Sequence, residues 1–183
     1  MRALDRFGVA VAAIFSLTIL AGCSSMRVWT DYGEGVDFAE FQTFQYRDSD
    51  TNLASSSPLV HQRIVATIER EMAASGLDRV DADPDVFVSY YASTTEQLQF
   101  NTTYTGVGSW GRHRRWGTSM TTGTTTTSTF EQGTMVIDIW DAHNNQLAWR
   151  GEITDTLSSN PDRNTGRINN GIARAFRDFP PSR

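Results

Sequence analysis

Two apolar runs and the polar turn between them organise the reading of this chain. They are Thr134-Met135-Val136-Ile137-Asp138-Ile139-Trp140 and Leu147-Ala148-Trp149-Arg150-Gly151-Glu152-Ile153, joined by Asp141-Ala142-His143-Asn144-Asn145-Gln146. Val and Ile are stiff at Cβ and pack well on a pleated surface, while Asp and Asn suit turns. The pair predicts an antiparallel hairpin. Upstream, Val86-Phe87-Val88-Ser89-Tyr90-Tyr91-Ala92 is the most strand-like run in the chain, and it is expected to continue through Leu98 and Phe100.

Residues 101–130, between these strands, differ in character. Five glycines (106, 108, 111, 117, 123) alternate with Tyr104, Trp110 and Trp116 and with the cluster Arg112-His113-Arg114-Arg115; eight of the twelve residues 118–129 are Thr. Threonine favours strands, but without apolar partners it cannot specify a register. A long hairpin with a flexible tip at 101–130 is expected.

Further out, Val28–Tyr32 and Thr43–Tyr46 read as strands around a Gly33-Glu34-Gly35 turn. Pro58 opens a helix with Ser57 as its N-cap and Gly76 as its left-handed C′ residue; Val60, Ile64, Ile68 and Met72 recur every four residues on one face. Leu77–Val80 suits a short edge strand. A last helix begins near Arg163, with Ile168, Ile172, Ala175, Phe176 and Phe179 as its stripe, and stops at Pro180-Pro181. Two helices with one stripe each can cover one face of a sheet. The expected fold is therefore α+β: a two-layer sandwich with a mostly antiparallel sheet of four to six strands and two helices on one face. The other face is solvated or reserved for a partner.

The N-terminus carries an address. Arg2 and Arg6 precede Phe7–Leu20, a 14-residue run without charge, shorter than the ~20 residues a spanning helix needs and suited to the apolar region of a secretory signal. Leu20-Ala21-Gly22-Cys23 follows at once and resembles the bacterial lipobox. Cys23 is the only cysteine in the chain, and lipidation would account for an unpaired thiol in an exported protein. The expected organisation is a lipoprotein signal peptide at 1–22, a lipidated tether at 23–27 starting at Cys23, and a single α+β domain at 28–181. One acyl chain holds only marginally, so durable anchoring takes two or more; the lipoproteins this resembles carry three, palmitate among them. In those lipoproteins an Asp after the cysteine favours the inner membrane. Ser24 stands there instead, so the expected place is the outer membrane, facing the periplasm.

Without residues 1–22 the chain has 14 arginines, no lysine and 20 acids, a formal charge of −6. Such a balance argues against general nucleic-acid binding, which depends on positive surface.

The chain also resembles the lipoprotein family catalogued as domain of unknown function number 4136. The resemblance is carried by Asp31-Tyr32 with Val36-Asp37-Phe38 and Phe41-Gln42-Thr43-Phe44-Gln45-Tyr46; by Pro58-Leu59-Val60 leading to Arg63-Ile64; by Asp83-Pro84-Asp85-Val86 through Ser89-Tyr90; by Gly133–Asp138 with Trp149-Arg150-Gly151; and by Arg167-Ile168-Asn169 through Phe179-Pro180-Pro181. It implies a fold and a location. The family brings no established activity, so no catalytic residue is carried over.

Direct inspection for chemistry agrees. There is no Gly-x-Ser-x-Gly elbow and no zinc-binding His-Glu-x-x-His pattern. His61, His113 and His143 fall in a helix, the hairpin tip and a turn; His143 beside Asp141 suits a solvated turn better than a metal. Asp83 and Asp85 read as turn residues, Glu69 and Glu71 as solvent-facing, Trp149 as core, and Arg150 as the partner of a surface acid. No catalytic residue, metal or cofactor is expected, and an enzyme is not. The best candidates for partner binding are Trp110, Arg112, Arg114, Arg115 and Trp116, because guanidinium groups among aromatic rings can stack and can fork to phosphate or carboxylate. The expected function is that of a lipid-anchored cell-envelope protein with a structural or protein-interaction role. Its partners would be the membrane, through the lipid, and an envelope protein or glycan. The alternative is a periplasmic small-ligand-binding module that uses the uncovered sheet face, lined by Trp140, Tyr91 or Tyr90.

Overall fold

In the computed structural model, residues 25–47, 53–106 and 121–181 are described. In chain order they form β1 (Arg27–Tyr32), a 3-10 turn (Phe38–Glu40), β2 (Thr43–Tyr46), α1 (Leu53–Ser56), α2 (Pro58–Ala74), β3 (Asp78–Arg79), β4 (Val86–Gly106), β5 (Thr121–Asp141), β6 (Leu147–Thr156), α3 (Pro161–Ala175) and a second 3-10 turn (Phe176–Asp178). The fold is α+β. The strands make one six-stranded mixed sheet in the order β1-β6-β5-β4-β2-β3.

The hairpin of β5 and β6 lies where its sequence places it, with a register shift between Ile139 and Trp140. The sheet is less uniformly antiparallel than expected: β2 runs parallel to both β4 and β3. The reason is topological. Strands joined by a hairpin are antiparallel, whereas β2 reaches β4 through α1 and α2, and a helical crossover returns the chain in the same direction. The short helix α1 also adds a third helix to the two expected.

Period-two alternation divides the sheet. Val86, Val88 and Tyr90 of β4, Ile137 and Ile139 of β5, and Trp149 and Ile153 of β6 are buried against Ile64, Ile68 and Met72 of α2 and Ile172 and Ala175 of α3. Trp149 packs against Phe176 and Phe179, with ring centroids 5.1 and 5.4 Å away. The helix ends follow local chemistry. Gly76 takes φ +91 after α2. Ser57 makes no side-chain capping bond there; Pro58 sits at the first turn. α3 starts at Pro161, slightly before the expected Arg163, because the Asn160 side-chain oxygen accepts from the N–H groups of Asp162 and Arg163.

Two glycines mark close approaches. A Cβ at Gly151 would lie 2.5 Å from Trp149 Cη2, so the ring lies over a bare backbone. A Cβ at Gly171, on α3, would lie 2.7 Å from Ile153 Cγ2, so this glycine lets the helix sit close on β6. Gly166 on the same helix has open space around its missing Cβ.

Opposite signs are therefore expected for the same substitution on one helix. Gly171→Ala should destabilise by about 1–3 kcal/mol through overpacking. Gly166→Ala should stabilise by about 0.5–1 kcal/mol through helix propensity. Urea unfolding of the two variants beside the parent protein checks both.

Candidate functional site

The uncovered face of the sheet carries an ion pair at its centre. Arg150 of β6 is paired in register with Asp138 of β5. Its Nε and Nη2 donate to the two carboxylate oxygens of Asp138, each at 2.7 Å. Asp138 is almost fully buried, and the Asp138 carboxylate holds the Arg150 guanidinium above its ordinary pKa. The partner of Arg150 is thus a buried acid, not the surface acid expected. The reason is that the long arginine side chain lies over its strand neighbour and covers it.

Aromatic residues flank this pair. Trp29 and Tyr91 are exposed on one side, and the Arg47 guanidinium lies 3.8 Å from the centroid of the Phe87 ring, in register with Trp140, on the other. Tyr91 and Trp140 therefore face the open side as expected. Tyr90 does not. Alternation turns it inward, where it is fully buried and its hydroxyl lies 2.7 Å from His61 Nδ1 of α2.

The second surface is a two-stranded ribbon. β6 stops pairing with β5 at Gln132↔Thr156, but β4 and β5 continue together for eleven more residue pairs, from Glu96↔Glu131 to Gly106↔Thr121. From Thr121 to Thr129 the threonine run, which cannot specify a register by itself, is paired residue by residue because it continues the register of the core. Leu98, Phe100 and Tyr104 share one ribbon face and are 62%, 66% and 72% exposed. Opposite them stand Thr129, Thr127 and Gly123. The Tyr104 ring lies across Gly123, 3.2 Å from where a Cβ would be. The other face is mostly polar, with Gln97, Gln99, Asn101 and Thr103, and has half-buried Phe130 opposite Gln97 at its base.

A shallow cleft of about 300 Å³ lies between α2 and the β2–β3 edge, lined by Tyr46, His61, Val65, Glu69 and Arg79 among others. It is on the helix side of the sheet, not on the uncovered face. Glu69 pairs with Arg79 at 2.7 Å and Glu71 with Arg70 at 2.9 Å. His143 belongs to a turn organised by Asp141, which accepts from the His143 backbone N–H and the Asn144 side chain. Among the described residues no group of three or more His, Cys, Asp or Glu is placed to hold a metal.

Asp85 has a structural task. One carboxylate oxygen accepts from the Gln42 and Thr43 backbone N–H groups at 3.0 and 2.9 Å and from the Thr43 hydroxyl at 2.8 Å. The Gln42 backbone N–H, followed by the Thr43 hydroxyl, holds this carboxyl below the usual carboxylate range. The clasp fastens the start of β2 to the start of β4, where a parallel pair has no turn to set its register.

Cys23, Trp110, Arg112, Arg114, Arg115 and Trp116 lie outside the described residues. The residues that sequence reading missed are the stripe at 98, 100 and 104. Their even spacing was visible, but their cross-strand partners are two threonines and a glycine, and only the pairing shows a continuous face.

The family model for a domain of unknown function (DUF4136) matches residues 28–181. No curated protein matches the chain. Among solved structures, a PDZ domain protein from Parabacteroides distasonis aligns with TM-score 0.53 at 18% identity, covering 94% of this chain and 40% of that one. The chain thus spans less than half the length of this structural relative, and the likeness concerns the fold. PelC from Paraburkholderia phytofirmans, solved as a dodecamer, aligns with TM-score 0.48 at 10% identity over 82% of this chain and 94% of that one. A minor lipoprotein from Acinetobacter baumannii aligns with TM-score 0.37 at 9% identity over 76% and 92%.

Two outcomes follow from the charged groups. Arg150→Met keeps a cover over Asp138 but strands its carboxylate, and should cost about 3 kcal/mol; Asp138→Asn leaves a guanidinium that reaches water and should cost about 1–2 kcal/mol. Chemical denaturation at neutral pH measures that asymmetry. For Asp85 the folded pKa is depressed, so its contribution is present above the unfolded value near ~3.9 and is lost as pH falls through the folded value. Asp85→Asn should cost about 1 kcal/mol at pH 7, and its deficit should shrink as the pH is lowered below ~4. Parallel stability curves across that range would contradict this assignment.

Proposed function

The chain belongs to the DUF4136 family, and from that premise we propose that it is a lipid-anchored protein of the bacterial cell envelope with a structural or protein-interaction role. Cys23 carries the lipid, the domain stands on the periplasmic side of the outer membrane, and the work is done by contact. The observation that carries the contact role is the ribbon. Eleven residue pairs extend beyond the last pairing with β6, and they display large apolar side chains to the outside. An isolated two-stranded ribbon is at best marginally stable in water, and exposed apolar side chains on one face are surface available to something else. Trp110, Arg112, Arg114, Arg115 and Trp116, in the segment that joins the two strands, offer stacking and phosphate- or carboxylate-binding chemistry to an envelope protein or glycan.

The second reading, a small-ligand module on the uncovered face, draws on Trp29, Tyr91, Trp140 and Phe87 around the Asp138–Arg150 pair. It is the weaker one, because that face is an open sheet surface and ligand sites are concave.

Metabolic labelling with palmitate, followed by mass spectrometry of the mature N-terminus, tests the anchor. Label is expected on the parent chain and none on Cys23→Ala, which should move from the membrane to the soluble periplasmic fraction. In-cell cross-linking of tagged protein tests the contact role: the variant with Arg112, Arg114 and Arg115 all changed to Ala should lose most of the material the parent captures. Equal capture by both would remove these residues from the proposal.

A further inference from the structure

The ribbon and the N-terminal tether leave the domain at the same end. β1 begins at Arg27, and Arg27, Thr154, Thr134 and Ser93 form one row across four strands. The ribbon starts three pairs further on, at Glu96↔Glu131, and runs away from the body in that direction. The tether is also fastened there. The Ser25 hydroxyl donates to Asp155 at 2.5 Å, Arg167 of α3 pairs with the same carboxylate at 3.3 Å, and Met26 is buried in the core. Cys23 precedes Ser25 by two residues, a stretch of chain that spans at most about 7 Å. A lipid on Cys23 therefore brings the ribbon end of the domain to the membrane.

The ribbon's chemistry fits that position. From Gln97 to Gly106 and from Thr121 to Phe130 neither strand carries a charge, and its eleven pairs are about 36 Å long. One face carries Leu98, Phe100 and Tyr104 with threonines between them; the other is amide and hydroxyl except at its base, where half-buried Phe130 stands opposite Gln97. At the base two glutamates stand directly opposite each other, an arrangement that is unfavourable unless both stay in water. A single copy cannot span the bilayer this way. Among the described residues nothing pairs with the outer edge of β5 between Thr121 and Phe130, or with that of β4 beyond Val88, and open strand edges are not tolerated in hydrocarbon. At the interface those edges remain hydrated while one face enters the acyl boundary, as amphipathic elements do.

We propose that the β4–β5 ribbon is a bilayer-contact element, whose Leu98–Phe100–Tyr104 face beds into the same membrane surface that holds the lipid on Cys23. It acts as a second point of attachment and sets the orientation of the domain above the membrane. The proposal rests on the anchor reading for which end of the molecule meets the bilayer.

The test uses the full lipidated chain in vesicles of phosphatidylethanolamine and phosphatidylglycerol. Cysteines are placed singly at 98, 100 and 104 and at 97, 99 and 101, then labelled with an environment-sensitive dye. Emission at 98, 100 and 104 should be severalfold brighter than at 97, 99 and 101, and a nitroxide attached to the lipid should quench it. Water-like emission at all six positions would overturn the proposal. So would bright emission that lipid nitroxide fails to quench, since a second protein copy would then cover the face. The unsubstituted chain reports on the anchor separately: it takes up dye only if Cys23 is a free thiol. In that event the same six positions are read on a Cys23→Ser background. There, Phe100→Asn in otherwise unlabelled protein should lower vesicle binding by roughly tenfold or more, given the transfer energy of a phenylalanine side chain. Retention of core structure is monitored through near-ultraviolet circular dichroism of the buried Trp149, which the ribbon does not touch.

Discussion

The antiparallel pairing of β4 with β5 is the constraint on which the rest of the molecule depends. It runs without a break from Val86↔Asp141 to Gly106↔Thr121. Because side chains alternate with a period of two, one register decides every residue on both strands. At the body end it places Val86, Val88, Tyr90, Ile137 and Ile139 under the helices. At the far end the same parity brings Leu98, Phe100 and Tyr104 onto a single face. The core thus holds a register that the threonine-rich strand could not choose alone. A slip of one residue would either turn Tyr90 out of the core or turn Asp138 into it, depending on which strand moved.

Around that pair the domain is closed by a few short-range devices. β6 is tied to β5 by the fork of Arg150 on Asp138, and α3 approaches β6 closely because Gly171 has no side chain to keep it off. On the other side β2 has no hairpin to align it, and the Asp85 clasp on Gln42 and Thr43 supplies the alignment. The acidic, aromatic and glycine positions that look like chemistry in the sequence are thereby largely occupied with architecture. Among the described residues the open surfaces include a sheet face with an ion pair at its centre, and the ribbon.

The likeness to solved structures concerns the fold alone, so the functional reading comes from this chain's own placement of groups. In the proposed arrangement the end defined by Ser25, Met26 and Asp155 is the one nearest the membrane, and the two-faced ribbon leaves the body from that same end. Among the described residues no helix is long and apolar enough to cross a membrane; the ribbon proposal asks for none, since it uses one face of two strands at the interface.

Much of the local structure could be read from residue order, because it follows from short-range chemistry. The apolar stripes of α2 and α3, the left-handed Gly76, the β5–β6 turn and the inward Trp149 are all decided by neighbours a few positions apart. The parallel course of β2, the burial of Tyr90 beside His61 and the pairing of Arg150 with a buried rather than a surface acid required the assembled sheet. Each depends on which strand lies next to which, and chain connectivity through a helix sets that at long range. The apolar face of the ribbon, and its departure from the same end as the tether, likewise emerged only in three dimensions: they join residues 25–27, 93–106, 121–134 and 154–155, which nothing but the sheet brings into one row.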